Sequence, residues 1–176
     1  MHTEAMTEHS DDGVTLVGYD ASWPTEFRRE AQRLRAARIP GFLAAEHIGS
    51  TAVPGMAAKP IIDIAVAVNL PAASPRLIRA LEALGYRYYG TFGLRGRHFF
   101  RLGQPARVHL HVVHRRSPHW RAWLEFRDAL RAHPEWVARY EHEKRRLARL
   151  HRYDRAAYTA AKTPIVTRIL AAAGDR

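Results

Sequence analysis

Asp63, His109 and His111 are the residues whose types and spacing most directly suggest chemistry. In "PIIDIAVAV", residues 60–68, strand alternation sends Ile62, Ile64, Val66 and Val68 to one face and Asp63, Ala65 and Ala67 to the other. A carboxylate between two alanines looks onto water or a pocket, because a lone charge in a dry core is costly. In "ARVHLHVV", residues 106–113, Val108, Leu110 and Val112 point one way while His109 and His111 point the other. Two imidazoles at i and i+2 on one strand face can converge on a divalent metal ion. Histidine suits zinc, manganese or iron, whereas magnesium prefers oxygen ligands. The competing account is a pair of histidines hydrogen-bonding on a half-exposed sheet face, which Asp63 on a similar strand brings level with the metal reading.

Gly49, Ser50 and Thr51 offer backbone N–H groups, two hydroxyls and room for close approach, all of which suit a phosphate. Taken alone, a Gly-Ser pair usually just marks a turn. Lys59 precedes Pro60, so its backbone is held extended, which aims its ammonium at the same loop or simply into solvent. Arg95, Arg97, His98 and Arg101 form a basic patch on the next hairpin, half of which would be ordinary surface. No G-x-S-x-G elbow is present, which disfavours a Ser/His/Asp hydrolase. The G-x-x-x-x-G-K-[ST] and G-x-G-x-x-G patterns are absent too.

Elements that could position these side chains are readable along the chain. "VTLVGY" is a short extended piece, and Ser22-Trp23-Pro24 opens a helix over about 23–38 with Phe27, Ala31 and Leu34 on one face. "FLAAEHIG" and "PIIDIAVAV" read as strands, and "SPRLIRALEALG" as a helix capped by Ser74 and stopped by Gly85. "YRYYG", "RHFFRL" and "ARVHLHVV" are further strands joined by glycine turns. From Ser117-Pro118 onward the chain is helical, over about 118–132, 134–150 and 154–171, with Pro164 kinking the last helix or restarting it from a Thr163 cap. This predicts an α+β domain over residues 14–176, a mixed sheet with a helical C-terminal third, behind a flexible tail at residues 1–13.

With 176 residues, 47% of them hydrophobic, there is enough for one core. No cysteine is present, which excludes disulfides and thiolate metal sites. No run approaches the roughly 18 residues of a membrane span, and the first residues lack a signal-like apolar stretch, so a cytoplasmic location is expected. Twenty-eight basic residues against 17 acids give a net charge of +11, favouring phosphate-bearing partners, although an arginine bias would also explain it. Only Lys59, Lys144 and Lys162 break that arginine habit. Each is a candidate for a task that needs a compact point charge.

Several stretches, "YDASWPTEF", "HIGSTAVPGMAAKPIIDI", "RHFFR", "VHLHVV", "WLEFRDALRAHPE", the Tyr and Lys of "RYEHEK" and "YTAAK", resemble the GrpB family. That family is an uncharacterised branch of the nucleotidyltransferase superfamily with the DNA polymerase beta-like fold. The similarity covers about residues 14–171 and includes all three lysines. It implies a nucleotidyltransferase-like twisted mixed sheet flanked by helices, with nucleotide phosphates held at the Gly49-Ser50 loop. Asp63 would fill the first metal-binding acid position. Two departures stand out: Ala65 occupies the second acid position, and the strand expected to carry a third acid offers His109 and His111. The Thr163-Pro164 step also breaks the pattern of the family's final helix.

Nucleotidyl transfer normally uses two metal ions bridged by paired carboxylates. The expectation is therefore transfer of a nucleotidyl group from a nucleoside triphosphate with one divalent metal, magnesium, manganese or zinc. Asp63 would be catalytic and a ligand together with His109 and His111, while Gly49, Ser50, Thr51, Lys59, Arg97 and Arg101 would bind substrate. The alternative is a catalytically lapsed nucleotide or phospholigand binder on the same fold. Nucleic-acid binding ranks last, because no recognition motif or interleaved stacking aromatics accompany the arginines.

Overall fold

Ile62, Ile64, Val66 and Val68 are each exposed by 2% or less and pack beside Val108, Leu110 and Val112 of the neighbouring strand. The two apolar stripes predicted from alternation are thus one surface at the centre of the molecule. The structure, a computed structural model, describes residues 14–71 and 74–174. The tail expected at residues 1–13 lies outside the described residues.

Five strands form one sheet: β1 (Phe42–Ile48), β2 (Ile62–Val68), β3 (Arg87–Tyr88), β4 (Arg97–Leu102) and β5 (Val108–His114). Their order is β1-β2-β5-β4-β3, with β2 and β5 parallel and the other neighbours antiparallel. A parallel pair needs a long crossover, here supplied by everything between residues 68 and 108, including helix α2 (Pro75–Ala83). Helix α1 (Trp23–Ala36) contributes Trp23 and Leu34 to the core on that face, and α2 contributes Leu77 and Leu81. The "VTLVGY" piece is reduced to a single bridge, Val17 to Ala58.

Helix α3 (Pro118–Ala132) crosses the opposite face, where Trp120 packs with Ile48, Ala65, Ala67 and Val113. Helices α4 (Pro134–Leu150), α5 (Arg155–Ala161) and α6 (Thr163–Gly174) complete the C-terminal third. Tyr140 and Ile169 pack with Val53 and Met56 of the loop before β2, and Tyr158 with Val14 and Leu147. Of the two alternatives at this step the chain takes the restart: α6 begins at Thr163, with Pro164 in its first turn, where the missing N–H is accommodated. Ser117 caps α3 by accepting from His119 N at 3.3 Å. Ser22 and Ser74 make no such bond, and Ser22 Oγ donates instead to Glu26 at 2.9 Å. No helix among the described residues is long and apolar enough to cross a membrane.

Candidate functional site

Parallel pairing of β2 with β5 sets Asp63 opposite His109 and Ala65 opposite His111. Asp63 Oδ1 lies 3.4 Å from His109 Nδ1 and 3.2 Å from His111 Nε2. From β4, Arg97 Nη1 comes within 3.4 Å of His111 Nδ1. A guanidinium only donates, so His111 accepts at Nδ1 and donates from Nε2 to the carboxylate. Burial lowers the His111 pKa further, against the pull of Asp63, which agrees with a neutral ring. For Asp63, burial pushes the pKa up, but the bonds from His109 and His111 outweigh it and hold the carboxyl far below its usual range. The cluster is thus one carboxylate clamped between two histidine side chains.

That arrangement does not suit a metal ion as it stands. Asp63 Oδ1 and both nitrogens of His111 are engaged, and His109 Nε2 is buried without a hydrogen-bond partner among the described residues. Among those residues no group of three or more carboxylate, imidazole or thiolate side chains is arranged to hold a metal ion. Ala65 shares the face of Asp63, as alternation requires, but is 0% exposed beneath Trp120 of α3. The open part of that face ends at Asp63.

The loop before β2 presses on the same carboxylate. Gly49 has φ +72°, and a Cβ there would sit 2.7 Å from Asp63 Oδ2, so the position needs glycine both for its conformation and for space. A short 3-10 turn, Ser50–Ala52, follows. Ser50 Oγ accepts from Lys144 Nζ at 3.0 Å, and the same ammonium donates to Ala57 O at 2.5 Å. Thr51 is 1% exposed. Its hydroxyl faces His47 Nε2 at 3.0 Å and Ile61 O at 3.4 Å, so it is turned into the core, away from the ligand role expected of it.

The only three lysines of the chain meet beside this loop. Lys59 Nζ and Lys162 Nζ lie 5.6 and 4.5 Å from the ring centre of Tyr158, and Lys144 Nζ lies 5.0 Å from that of Tyr140. Both rings are buried. Burial, then the charge of Lys162, bring Lys144 down to about 7. Burial, then the charge of Lys59, bring Lys162 down to about 8, with Asp63 pulling the other way. Lys59 is lowered too, by burial first, and again Asp63 opposes the shift. Glu141 partly compensates Lys144, but its carboxylate is bonded to Ala57 N at 3.0 Å and to Arg145 at 2.7 Å. The result is a concentration of positive charge facing one carboxylate that two histidines already share.

Arg97 and Arg101 serve the hairpin before β4. Arg97 Nη2 donates to Thr91 O at 3.1 Å and Phe92 O at 2.7 Å. The Arg101 guanidinium lies over the rings of Tyr89, Phe92 and Phe99 at 4.6, 5.1 and 5.5 Å, close enough to Lys59 to lower its pKa. Sequence reasoning meets Tyr140 and Tyr158 only inside stretches that resemble the family, with no role attached, and it singles out Lys144 and Lys162 through that resemblance and the scarcity of lysine. Two open grooves of about 790 and 610 Å3 lie elsewhere, at the start of α3 and between α4 and α6, and neither includes Asp63 or a lysine. Chemistry, more than shape, marks the site.

A family model described as GrpB protein matches residues 13–172. A UPF0157 protein of Pseudomonas aeruginosa is 43% identical over 166 residues, covering 91% of this chain and 67% of that protein. The crystal structure of conserved protein GrpB from Enterococcus faecalis superposes with a TM-score of 0.79 at 34% identity, covering 90% of this chain and 98% of that one. A dephospho-CoA kinase of Mycolicibacterium paratuberculosis is 42% identical over 76 residues, 42% of this chain and 19% of the kinase.

Proposed function

The chain belongs to the GrpB family, and from that premise we propose that it binds a nucleotide or another phosphate-bearing small molecule at the Gly49-Ser50 loop. The observation that carries this reading is the convergence of Lys59, Lys144 and Lys162 beside Ser50 and Asp63. Ammonium groups gathered in a poorly solvated place repel one another and lose protons. A ligand with several negative charges relieves that repulsion and accepts charge-assisted hydrogen bonds from the same groups.

A thermal-shift titration with inorganic tripolyphosphate and nucleoside triphosphates, with and without divalent cations, tests the proposal. Ligand at 100 times its dissociation constant adds about 2.7 kcal/mol, or roughly 5–11 °C for a chain of this size. Lys144→Met and Lys162→Met should each reduce the shift. A melting temperature that no polyphosphate moves would sink the reading.

A second reading, nucleotidyl transfer with a divalent cation at Asp63, His109 and His111, is favoured by one feature. A Cβ on Gly49 would come within 2.7 Å of Asp63 Oδ2, so the loop passes close beside the carboxylate and phosphates held there would reach the single acid. It requires the contacts of Asp63 Oδ1 with both imidazoles, and of His111 with Arg97, to give way. Product mass after incubation with nucleotides and magnesium, manganese or zinc decides it. Product that disappears in Asp63→Asn supports transfer, and absence of product alongside a nucleotide-dependent melting shift leaves binding alone.

A further inference from the structure

We infer that the β3–β4 hairpin stacks the aromatic base of a nucleotide, with Phe92 as the platform and Arg101 beside it. This rests on the phosphate-binding reading above and names the class of ligand more narrowly. Phe92 is 55% exposed. Its φ is +45°, a region bulky side chains seldom occupy, and the hairpin holds it there through Arg97, which takes the carbonyl oxygens of both Thr91 and Phe92. A strained backbone that presents an aromatic ring to solvent is a feature to be explained by use.

The ring is also held flat. Phe92 stacks on the buried Phe99 with centroids 4.9 Å apart and planes 23° from parallel, so Phe99 supports one side of a ring that is more than half exposed. The Arg101 guanidinium lies 5.1 Å from its centre, and Arg101 Nε is buried with no hydrogen-bond partner among the described residues. A supported aromatic ring next to a guanidinium is the pairing on which a heteroaromatic base stacks. A single ring flanked by arginine is, by contrast, a poor docking patch for another protein, which needs contiguous apolar area.

Continuity ties this platform to the phosphate end. Phe99 lies 5.1 Å from the ring of His109 and 5.2 Å from that of His111. Those histidines clamp Asp63, on which Gly49 rests. One row therefore runs from Phe92 to the loop whose Ser50 meets Lys144, placing a base at one end and phosphates at the other.

Calorimetric titration of the full chain with ATP and with inorganic tripolyphosphate tests the inference. Wild type should bind ATP roughly tenfold more tightly than tripolyphosphate, about 1.4 kcal/mol. Phe92→Ala should collapse that ratio toward one, while Phe92→Trp keeps it. Equal affinities in wild type would overturn the stacking inference and leave the phosphate site standing. A ratio that survives in Phe92→Ala would overturn it as well, since the base would sit elsewhere. If neither ligand binds, the phosphate reading itself fails, and this inference with it.

Discussion

Lys144 Nζ stands 3.0 Å from Ser50 Oγ, joining a helix of the C-terminal third to a loop 94 positions earlier. The burial of this ammonium sets a pH dependence whose sign is fixed. Burial, followed by the charge of Lys162, lowers Lys144 from its ordinary 10.5 to about 7. Between those values the unfolded chain binds the proton and the folded chain does not, so stability rises as pH increases from about 7 to about 10.5 and is lost again on the way down. The thermal midpoint followed across that range should climb in wild type and climb less in Lys144→Met. A wild-type curve flat across the window would refute the depressed lysine.

Ligand binding should draw in protons. With Lys144 at about 7 and Lys162 at about 8, both are partly neutral at pH 8, and a polyanion beside them raises both values. Calorimetric titration of tripolyphosphate in buffers of different ionisation enthalpy should report uptake of roughly one proton per site. Release of protons, or none exchanged, would place the phosphates away from these lysines.

Gly49→Ala should destabilise by about 2 kcal/mol, a fall of roughly 4–8 °C, because both the left-handed φ and the contact with Asp63 Oδ2 resist a methyl group. Gly55→Ala is the matched control. Its φ is +78°, but a Cβ there meets nothing within 4 Å. The difference between the two variants isolates the close approach to the carboxylate. Equal melting temperatures would mean that the loop is free to move off Asp63.

Ala65→Asp, the change that would set a second acid two positions after Asp63, should cost at least about 3 kcal/mol. The new carboxylate would lie among Ile48, Val113 and Trp120, at a position with 0% exposure. Magnesium should not recover the loss. A magnesium-dependent gain in melting temperature specific to this variant would show that α3 can lift from the sheet.

Much of this was legible from local pattern. Alternation put His109 and His111 on one face of their strand and Asp63 on the non-apolar face of its own, and Ser117-Pro118 and Pro134 mark the starts of α3 and α4; that the two faces coincide follows from the parallel pairing of β2 with β5. The helix expected over 23–38 ends at Ala36, and the segment after 154 breaks at Lys162 into two helices, the second with Pro164 in its first turn. What periodicity could not supply is the identity of the covering element. It gives Ala65 its face but not Trp120 above it, and it gives Thr51 a loop but not its bond to His47. Lys144 and Lys162 reach the site only because α4, α5 and α6 fold back on the loop before β2, a long-range event without local signature.

The strand order carries a consequence for how the chain assembles. β5 is the last strand to be synthesised, yet it occupies the middle of the sheet, between β2 and β4. Until it docks, β1–β2 and β3–β4 are separate ribbons, each with a bare hydrogen-bonding edge open to mispairing with other chains. Asp63 and His109 sit on the two sides of that seam, so the seam that joins the ribbons also completes the cluster. A nascent chain stalled before residue 108 would therefore be both sticky and siteless. Pulse-labelled hydrogen exchange during refolding should find β2 and β4 gaining protection together, in the phase in which β5 is captured; early protection of either ribbon alone would argue for a different order of assembly.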